Sequence, residues 1–343
     1  MKTKIVKIAL DEFGSYLGAQ KGCFIVRDKN GNEKKYPMVE NLISEITIRS
    51  GNCVSGGALS KAAFWGIDCL ILTQRGHPIA MLKSLANDDH VETRVYQYRA
   101  LTDGKGLEIA KQIVLSKYKG QNELLRKYGL KLLEDWYVEK IKALDEKDMC
   151  VLRRRLTGYE GKFSRKYFSQ IFELFGESFR PERRRTFRAY DGLNNILNLT
   201  YRILSWKVHI ALIRAKLEPY LGFLHSMEFG LPSLVCDFQE LYRHLVDDFV
   251  IQYCKHVKNS DFMLKTENCT SSKRGKRQYL NEAKTRNLIN EMDKYLKTRV
   301  RIPRLTHGDK QRIETLISEE ASLFAMYLRN ERKTWNPRIV VLE

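Results

Sequence analysis

Residues 152–171 read LRRRLTGYEGKFSRKYFSQI, and the spacing of their apolar side chains decides how most of the chain folds. The apolar positions recur at helical intervals, and they are Leu152, Leu156, Phe163, Tyr167 and Ile171. This spacing puts them on one face of an α-helix, because a helix completes a turn every 3.6 residues. We therefore predict a helix with one buried, apolar stripe.

Glu160 lies within that stripe, four residues after Leu156 and three before Phe163. A carboxylate that faces a core is unfavourable unless it is paired or bound to a metal. Gly158 and Gly161 flank it, although a glycine inside a helix costs ~1 kcal/mol relative to alanine. They make sense where a backbone or a ligand approaches closely. Two interpretations stay open: Glu160 binds a metal, or it pairs with a nearby arginine at a helix end.

The helical pattern extends over most of the chain. Residues 79–180 and 233–302 contain no proline, and both spans carry apolar residues at three- and four-residue spacing. Prolines then fall between the expected helices, as stops or first-turn residues, at Pro181, Pro219, Pro232 and Pro303. We expect an all-α catalytic domain over residues 92–343.

The first 85 residues have a different composition. Nine of the 21 glycines precede Ile79, and they separate short segments rich in β-forming residues. Those segments include residues 23–26, 45–48 and 69–73, with a turn at 28–31 and one short helix from Ala58 to Trp65. The prediction is a small N-terminal β-sheet domain over residues 1–85, a linker over 86–91 and an α+β fold class overall.

A second candidate site is the segment PYLGFLH at residues 219–225. Its proline and glycine predict a turn that presents His225 at the tip or the start of an element. Taken alone, a single histidine more often stabilises a fold than binds a ligand, so His225 needs the company of other groups.

The third candidate site is a helix that Pro232 and Ser233 open, with Ser233 as the expected N-cap. Its core-facing residues are Leu234, Phe238, Leu241, Leu245 and Phe249. Asp237 and Glu240 are neighbours on one face, and His244 follows one turn later. Two carboxylates ~4 Å apart repel by ~1–4 kcal/mol at effective dielectrics of 80 to 20, which a divalent ion would reverse. The alternative is a solvated face, where acids near a helix start favour the dipole.

These groups together suit a divalent metal ion. Ligation dominated by carboxylates favours Mg²⁺ or Mn²⁺, and one imidazole shifts the preference towards Mn²⁺. The intervals from Glu160 to His225 and on to Asp237 are too long for a zinc motif. The predicted cofactor is therefore Mg²⁺ or Mn²⁺.

Positive charge points to a polyanionic partner. Lys and Arg outnumber Asp and Glu by 60 to 41, a formal net charge of +19. Nucleic acid is the favoured partner, although an acidic membrane surface or an acidic protein also fits the charge alone. Basic runs beside the candidate ligands favour contacts with DNA phosphates. The residues predicted to make them are Arg183, Arg184, Arg185, Arg188, Lys273 and Arg274.

Two other protein classes do not fit the pattern. The longest apolar stretch, at residues 64–72, is far shorter than the ~20 residues of a spanning helix, and no secretion signal opens the sequence. We therefore expect a cytoplasmic protein with no membrane partner. The seven cysteines form no C-x-x-C pair, which argues against a zinc ribbon or a thioredoxin-type site, and we expect reduced, mostly buried thiols.

At these residues the sequence resembles the CRISPR-associated integrase family, the DNA-integrating component of spacer acquisition. The resemblance is carried jointly by the elements G-x-E-G, G-x-L-H and D-x-x-[DE]. The matching segments are residues 156–161, 191–198, 219–225 and 233–240, and the match extends into the β domain through 51–80.

The resemblance implies a metal held by Glu160, His225 and Glu240, with Asp237 beside it. Many members carry Asp where this chain has Glu240, so the division of roles between Asp237 and Glu240 stays open. It also implies a homodimer formed through the β domain, and two such dimers flanking a dimer of a small ferredoxin-like companion protein. Double-stranded DNA is the expected substrate, as a captured spacer duplex and a CRISPR repeat.

The mechanism we hypothesise is transesterification: a 3′-hydroxyl of the captured duplex attacks a phosphodiester of the CRISPR array, and water in its place gives nuclease activity. Whether His225 also moves protons stays open. The alternatives are a stand-alone structure-selective DNA nuclease, a transposase-type relative, and a catalytically silent DNA-binding scaffold.

Overall fold

The computed structural model of the protein describes residues 4–38, 41–74, 76, 78–82, 90–187, 189–268, 274–301 and 310–342. The chain forms two compact units, Met1–Asp89 and His90–Glu343. The first is built of β-sheets and the second is mostly helical, which confirms the predicted α+β class. Most of the predicted linker lies outside the described residues, as do Arg188, Lys273 and Pro303, and only the backbone of Arg274 is described.

The first unit contains two four-stranded sheets. Its elements are β1 (Lys4–Leu10), β2 (Tyr16–Gln20), β3 (Cys23–Arg27), β4 (Glu33–Pro37), β5 (Asn41–Arg49), β6 (Cys53–Val54), α1 (Gly56–Phe64), β7 (Cys69–Leu72) and β8 (Pro78–Leu82). The strand orders are β1-β5-β7-β8 and β4-β3-β2-β6. The predicted turn joins β3 to β4, where Gly31 has a φ of +86° that favours glycine.

The second unit is a helical bundle with two short hairpins. Its helices are α2 (His90–Arg99), α3 (Lys105–Lys127), α4 (Trp136–Lys142), α5 (Met149–Glu173), α6 (Gly192–Arg214), α7 (Ser233–Glu240), α8 (Arg243–Cys254), α9 (Glu282–Leu296) and α10 (Ile313–Leu328). A 3₁₀ turn spans Asn259–Asp261, and the strands are β9 (Phe262–Asn268), β10 (Arg274–Leu280), β11 (Arg299–Arg301) and β12 (Lys310–Arg312). The predicted apolar stripe of α5 is buried throughout.

Local signals fix where two central helices begin. Asp148 caps α5, because its side chain accepts the backbone N–H of Val151 at 2.9 Å. Asp191 caps α6 in the same way, through the N–H of Asn194 at 2.7 Å. These caps set the register in which α5 and α6 present their side chains to the core.

The prediction that the second unit is entirely helical is wrong for four strands, at residues 262–268, 274–280, 299–301 and 310–312. Of these, β9 and β10 form an antiparallel hairpin, in which Tyr279 faces Met263. The backbone N–H of Gln278 also donates to the carbonyl of Tyr190 at 2.9 Å, which ties the hairpin to the segment before α6. The absence of proline did not separate the two structures, because strands and helices both need their backbone N–H groups.

The helix predicted after Pro232 is interrupted. It ends as α7 at Glu240, and α8 restarts at Arg243, although the five apolar residues predicted to face the core are all buried. Ser233 is not the N-cap but the first helical residue, and its hydroxyl donates to the carbonyl of Ser226 at 2.7 Å. The restart separates His244 from the carboxylates that precede it.

The structure bears on membrane-spanning helices and on the burial of the cysteines. Among the described residues, every helix is too short or too polar to cross a membrane. The expectation of mostly buried thiols is wrong: of the six described cysteines only Cys69 is buried, while Cys53 and Cys150 are exposed.

Candidate active site

Glu160 and Glu240 lie 80 residues apart in the sequence and converge on the side chain of Lys117. Lys117 projects from α3, and its Nζ is 2.7 Å from Oε2 of Glu240 on α7. The same Nζ donates to Oε1 of Glu160 on α5. Oε1 of Glu160 also accepts a hydrogen bond from the hydroxyl of Ser164 at 2.9 Å. Three helices thus bring two carboxylates to one positive charge.

This cluster is largely removed from solvent. Glu240 is 4% exposed and Lys117 8%, whereas the side chain of Glu160 is 22% exposed. The cluster therefore opens to solvent on the Glu160 side. Glu160 is thus paired with a basic residue, as one of the two alternatives expected, but the partner is a lysine in the middle of α3 and not an arginine at a helix end.

Arg243 holds Glu240 from the other side. Its Nε is 2.9 Å from Oε1 of Glu240, and its guanidinium lies 4.7 Å from the ring centroid of Tyr201. Burial alone would raise the pKa of Glu240, but the charges of Arg243 and Lys117 outweigh it and lower the pKa to about 2. Glu240 is therefore an anion at neutral pH, as a metal ligand must be.

Asp237 is fully buried and occupied with the preceding turn. Its Oδ2 accepts the backbone N–H groups of Phe223 at 2.5 Å and Leu224 at 3.0 Å. Its Oδ1 accepts the N–H of His225 at 2.9 Å and lies 2.7 Å from Nδ1 of the same residue. Four contacts match the acceptor capacity of one carboxylate. This favours Glu240 as the ligand and leaves Asp237 to position His225.

The turn that carries His225 is tightly packed. A methyl group at Gly222 would lie 2.7 Å from Cβ of Ser233, so only glycine fits there. Arg153 supports the turn by donating to the carbonyls of Gly222 at 2.9 Å and Phe223 at 2.7 Å. The predicted turn is thus present, and it places His225 where its side chain is 38% exposed.

The pKa of His225 is raised above its ordinary value. Burial by itself would lower it, but the hydrogen bond and charge of Asp237, and the charge of Glu240, act in the opposite direction. Among the two glutamates of the cluster, Glu240 is thus the one whose charge acts on His225. Because Asp237 engages Nδ1, only Nε2 is left for a metal or a substrate.

The candidate ligands do not surround a common point in this structure. Within the described ranges, no group of three or more His, Cys, Asp or Glu side chains is arranged to hold a metal ion. Glu160 and Glu240 meet at Lys117, whereas His225 lies on a separate turn and contacts Asp237.

A basic groove of about 430 Å³ opens beside Glu160. Its charged lining consists of Lys117, Glu160, Arg165, Glu182, Arg183, Arg184 and Arg243. A methyl group at Gly158 or Gly161 would meet no described atom within 4 Å. The idea that a backbone segment approaches these glycines is therefore wrong, and the space next to Glu160 is open to a ligand.

The arginines predicted to contact DNA differ in their surroundings. Arg183 is exposed and lines the groove. Arg184 instead donates to Oδ1 of Asn194 at 3.0 Å and Oδ1 of Asn198 at 2.7 Å, so its guanidinium serves the fold. Arg185 lies 3.7 Å from Glu182, a distant and partly exposed ion pair. The structure thus favours Arg183 over Arg184 as a phosphate contact.

His244 belongs to the core and not to the metal site. It is 2% exposed, and within the described part of the chain neither ring nitrogen has a hydrogen-bond partner. Its ring packs on α3 where a methyl group at Gly120 would lie 2.9 Å from Cε1. Burial lowers the pKa of His244 to about 3, so the ring is neutral.

Sequence reasoning missed Lys117 and Arg243. Lys117 follows Ile113 by four residues and precedes Leu124 by seven, so it is a charged residue on the apolar, buried face of a helix. The same signal singled out Glu160, and it would have found Lys117 as well. Arg243 offered no comparable signal, because its position beside Glu240 depends on the break between α7 and α8.

The chain is similar in sequence to a known protein family. Residues 8–285 match the family model described as CRISPR associated protein Cas1. Over 262 residues the chain is 30% identical to CRISPR-associated endonuclease Cas1 2 from Pyrobaculum aerophilum, an alignment that covers 76% of this chain and 86% of the relative.

Solved structures show the same fold at lower identity. A casposase bound to integration product superposes with a TM-score of 0.72 at 21% identity, covering 97% of each chain. A chain of a partial Cas6-RT-Cas1–Cas2 complex gives a TM-score of 0.73 at 18% identity, covering 99% of this chain and 100% of that one. Both architectures follow the α+β order described above.

Proposed function

Because the chain belongs to the Cas1 family of CRISPR-associated proteins, we propose that it is a metal-dependent DNA endonuclease and integrase of CRISPR adaptation. It joins the 3′-hydroxyl ends of captured DNA to the CRISPR array by transesterification. The observation that carries this proposal is the convergence of Glu160 and Glu240 on one cation beside a basic groove.

The residues fit a divalent metal ion. Two carboxylates from different helices already meet around one positive charge, and the buried Glu240 is an anion. Glu160, Glu240 and Nε2 of His225 would hold the ion, and this donor set suits Mg²⁺ or Mn²⁺. When bound, such an ion supplies polarisation of the target phosphate and stabilises charge on the attacking and leaving oxygens.

Asp237 acts through His225. Because a carboxylate only accepts hydrogen bonds, Nδ1 of His225 carries a proton in this pair, and in the neutral ring the lone pair is on Nε2. That lone pair can bind the metal or accept a proton from the substrate, but it cannot do both at once. We propose ligation as its main role.

The reaction exchanges one phosphodiester bond for another. The 3′-hydroxyl oxygen of the captured duplex attacks the phosphorus and loses its proton to solvent, and the bond to a 3′-oxygen of the repeat strand breaks. That leaving oxygen takes up a proton, so atoms and charge balance. When water attacks instead, the same site cuts DNA.

The groove is where we propose that DNA phosphates bind. Arg183 and Arg165 are exposed and line the same groove as Glu160, and we propose that they direct a phosphate towards it. We propose four further DNA contacts, at Arg185, Arg188, Lys273 and Arg274. The partners we propose are a spacer duplex and a CRISPR repeat, a second copy bound through the first unit, and the small ferredoxin-like companion. The likeness to a chain of a Cas1–Cas2 complex supports the last of these.

A transposase-type integrase that serves no CRISPR array is the second candidate, since the fold is also that of a casposase. The two differ in target choice. The first joins DNA at the borders of a repeat, and the second joins it without preference for a repeat.

Both candidates are tested by strand transfer of a labelled duplex into a plasmid that carries a CRISPR array, with Mn²⁺ present. Glu160→Gln should lose at least about 100-fold of the joining rate. The matched control is Glu173→Gln, at the exposed end of the same helix, which should keep it. A duplex without its 3′-hydroxyl should not be joined.

The outcomes separate the proposals. Joining by Glu160→Gln at the parent rate would refute the assigned chemistry. Insertions scattered over the plasmid would favour the transposase-type candidate. Binding of DNA by the parent protein without joining or cutting would favour a silent scaffold.

A further inference from the structure

We propose that Lys117 competes with the divalent ion for Glu160 and Glu240, and that a DNA phosphate in the groove relieves this competition by drawing the ammonium away. Lys117 is then a positioning residue that makes metal binding depend on DNA. The inference rests on the proposed function, because it concerns the same two carboxylates.

The ammonium of Lys117 takes the place that a metal ion would need. Nζ of Lys117 contacts one oxygen of Glu160 and one of Glu240, and so lies between the two carboxylates that a metal would join. A lysine beside a single acid would leave the other acid available. Here the ammonium occupies both, so a metal that binds both must displace it.

The charges of the cluster balance without a metal ion. Four charged side chains form one chain of contacts, and their formal charges sum to zero; in order they are Glu160, Lys117, Glu240 and Arg243. A divalent ion added to a neutral and mostly buried cluster leaves an excess of positive charge, which is unfavourable in a medium of low dielectric. Phosphate oxygens from DNA supply the missing negative charge.

The two cations of the cluster differ in how freely they can move. Arg243 is stacked over Tyr201, and a planar guanidinium in that position has little freedom. Lys117 has a flexible four-carbon stem and lines the same groove as Arg183, where we propose that phosphate binds. Lys117 is therefore the cation that moves from the carboxylates towards the phosphate.

The experiment measures binding of Mn²⁺ by the full chain without DNA, by titration calorimetry at pH 7.5. Lys117→Met removes the charge and keeps the length of the side chain, and it should bind Mn²⁺ about tenfold or more tightly than the parent. Lys117→Arg keeps the charge and should stay close to the parent. The matched control is Lys127→Met, a lysine on the same helix paired with buried Asp248 at 3.1 Å, and it should not change the affinity.

Repeating the titration with a duplex that lacks its 3′-hydroxyl tests the role of phosphate. DNA should tighten Mn²⁺ binding by the parent about tenfold or more, and it should tighten binding by Lys117→Met clearly less. Circular dichroism checks that each variant is folded, and Lys117→Gln gives the same comparison if Lys117→Met is not.

The results distinguish this inference from the proposed function. If the parent binds Mn²⁺ and the uncharged variants bind it no more tightly, the competition is refuted while the metal site stands. If neither the parent nor the variants bind Mn²⁺, with or without DNA, the proposed metal site is refuted and the competition with it.

Discussion

Replacing Asp237 with alanine removes the one carboxylate through which α7 holds the backbone and the ring of His225. The carboxylate accepts three backbone N–H groups, from Phe223, Leu224 and His225, and it also contacts Nδ1 of His225. All of these lie around a side chain with no exposed surface. The substitution therefore leaves three backbone donors without an acceptor, two of them buried and one partly buried.

The expected size of the effect follows from these contacts. A hydrogen bond to a charged group contributes about 1.5–3 kcal/mol, and three of them at the lower end of that range give about 4.5 kcal/mol. The matched control is Asp148→Ala at the start of α5, where an exposed carboxylate accepts a single N–H from Val151. An ordinary N-cap of this kind contributes about 1 kcal/mol.

Urea unfolding of both variants at pH 7, followed by circular dichroism, gives the two free energies of unfolding. Both substitutions lie in the second unit, so the same transition reports on them. Asp237→Ala should be the more destabilising by about 3 kcal/mol or more. An equal effect of the two substitutions would refute the argument that Asp237 anchors the turn.

Three further predictions concern the core and the groove. His244 has a folded pKa of about 3 against an ordinary 6.5, so the unfolded chain takes up a proton that the folded one does not as the pH falls. Between pH 7 and pH 5 the unfolding free energy of the parent should therefore fall by about 2 kcal/mol more than that of His244→Leu, as urea unfolding at the two pH values would measure. Gly120→Ala should lower the unfolding free energy by about 1–3 kcal/mol because the new methyl group overlaps the His244 ring, and an additive double variant with His244→Ala would contradict this. Arg184→Ala should lower the unfolding free energy by about 2 kcal/mol, because it removes the hydrogen bonds to Asn194 and Asn198. Arg183→Ala should leave the unfolding free energy unchanged. It should reduce the slope of log K for DNA binding against log salt concentration by about one.

The parts of the fold that local patterns determine were predictable. The stripe on α5 and the sheets of the first unit follow from periodicity and glycine spacing, which act over a few residues. Glu160 stood out for the same reason, because its charge interrupts a local pattern. The hairpin of residues 262–280 was missed, since the lack of proline is common to strands and helices.

The partners of the candidate residues were not predictable, because they depend on how distant helices pack. Lys117 contacts Glu160, which is 43 residues away in the sequence, and Glu240, which is 123 residues away. No spacing pattern in the sequence predicts contacts between residues so far apart. The break between α7 and α8 was not predictable either, and because of it His244 lies in the core and not beside Glu240. Ser233 looked like a cap by residue type, yet its hydroxyl serves the preceding turn.

The central claim is that Glu160, His225 and Glu240 hold one divalent ion. It is tested most directly by anomalous diffraction from crystals of the protein grown with Mn²⁺ and a duplex that lacks its 3′-hydroxyl. The account predicts one strong manganese peak bonded to both carboxylates and to Nε2 of His225, with the Lys117 ammonium turned towards a phosphate. A peak bonded to other residues, or a manganese ion bonded to Asp237 in place of Glu240, would contradict it.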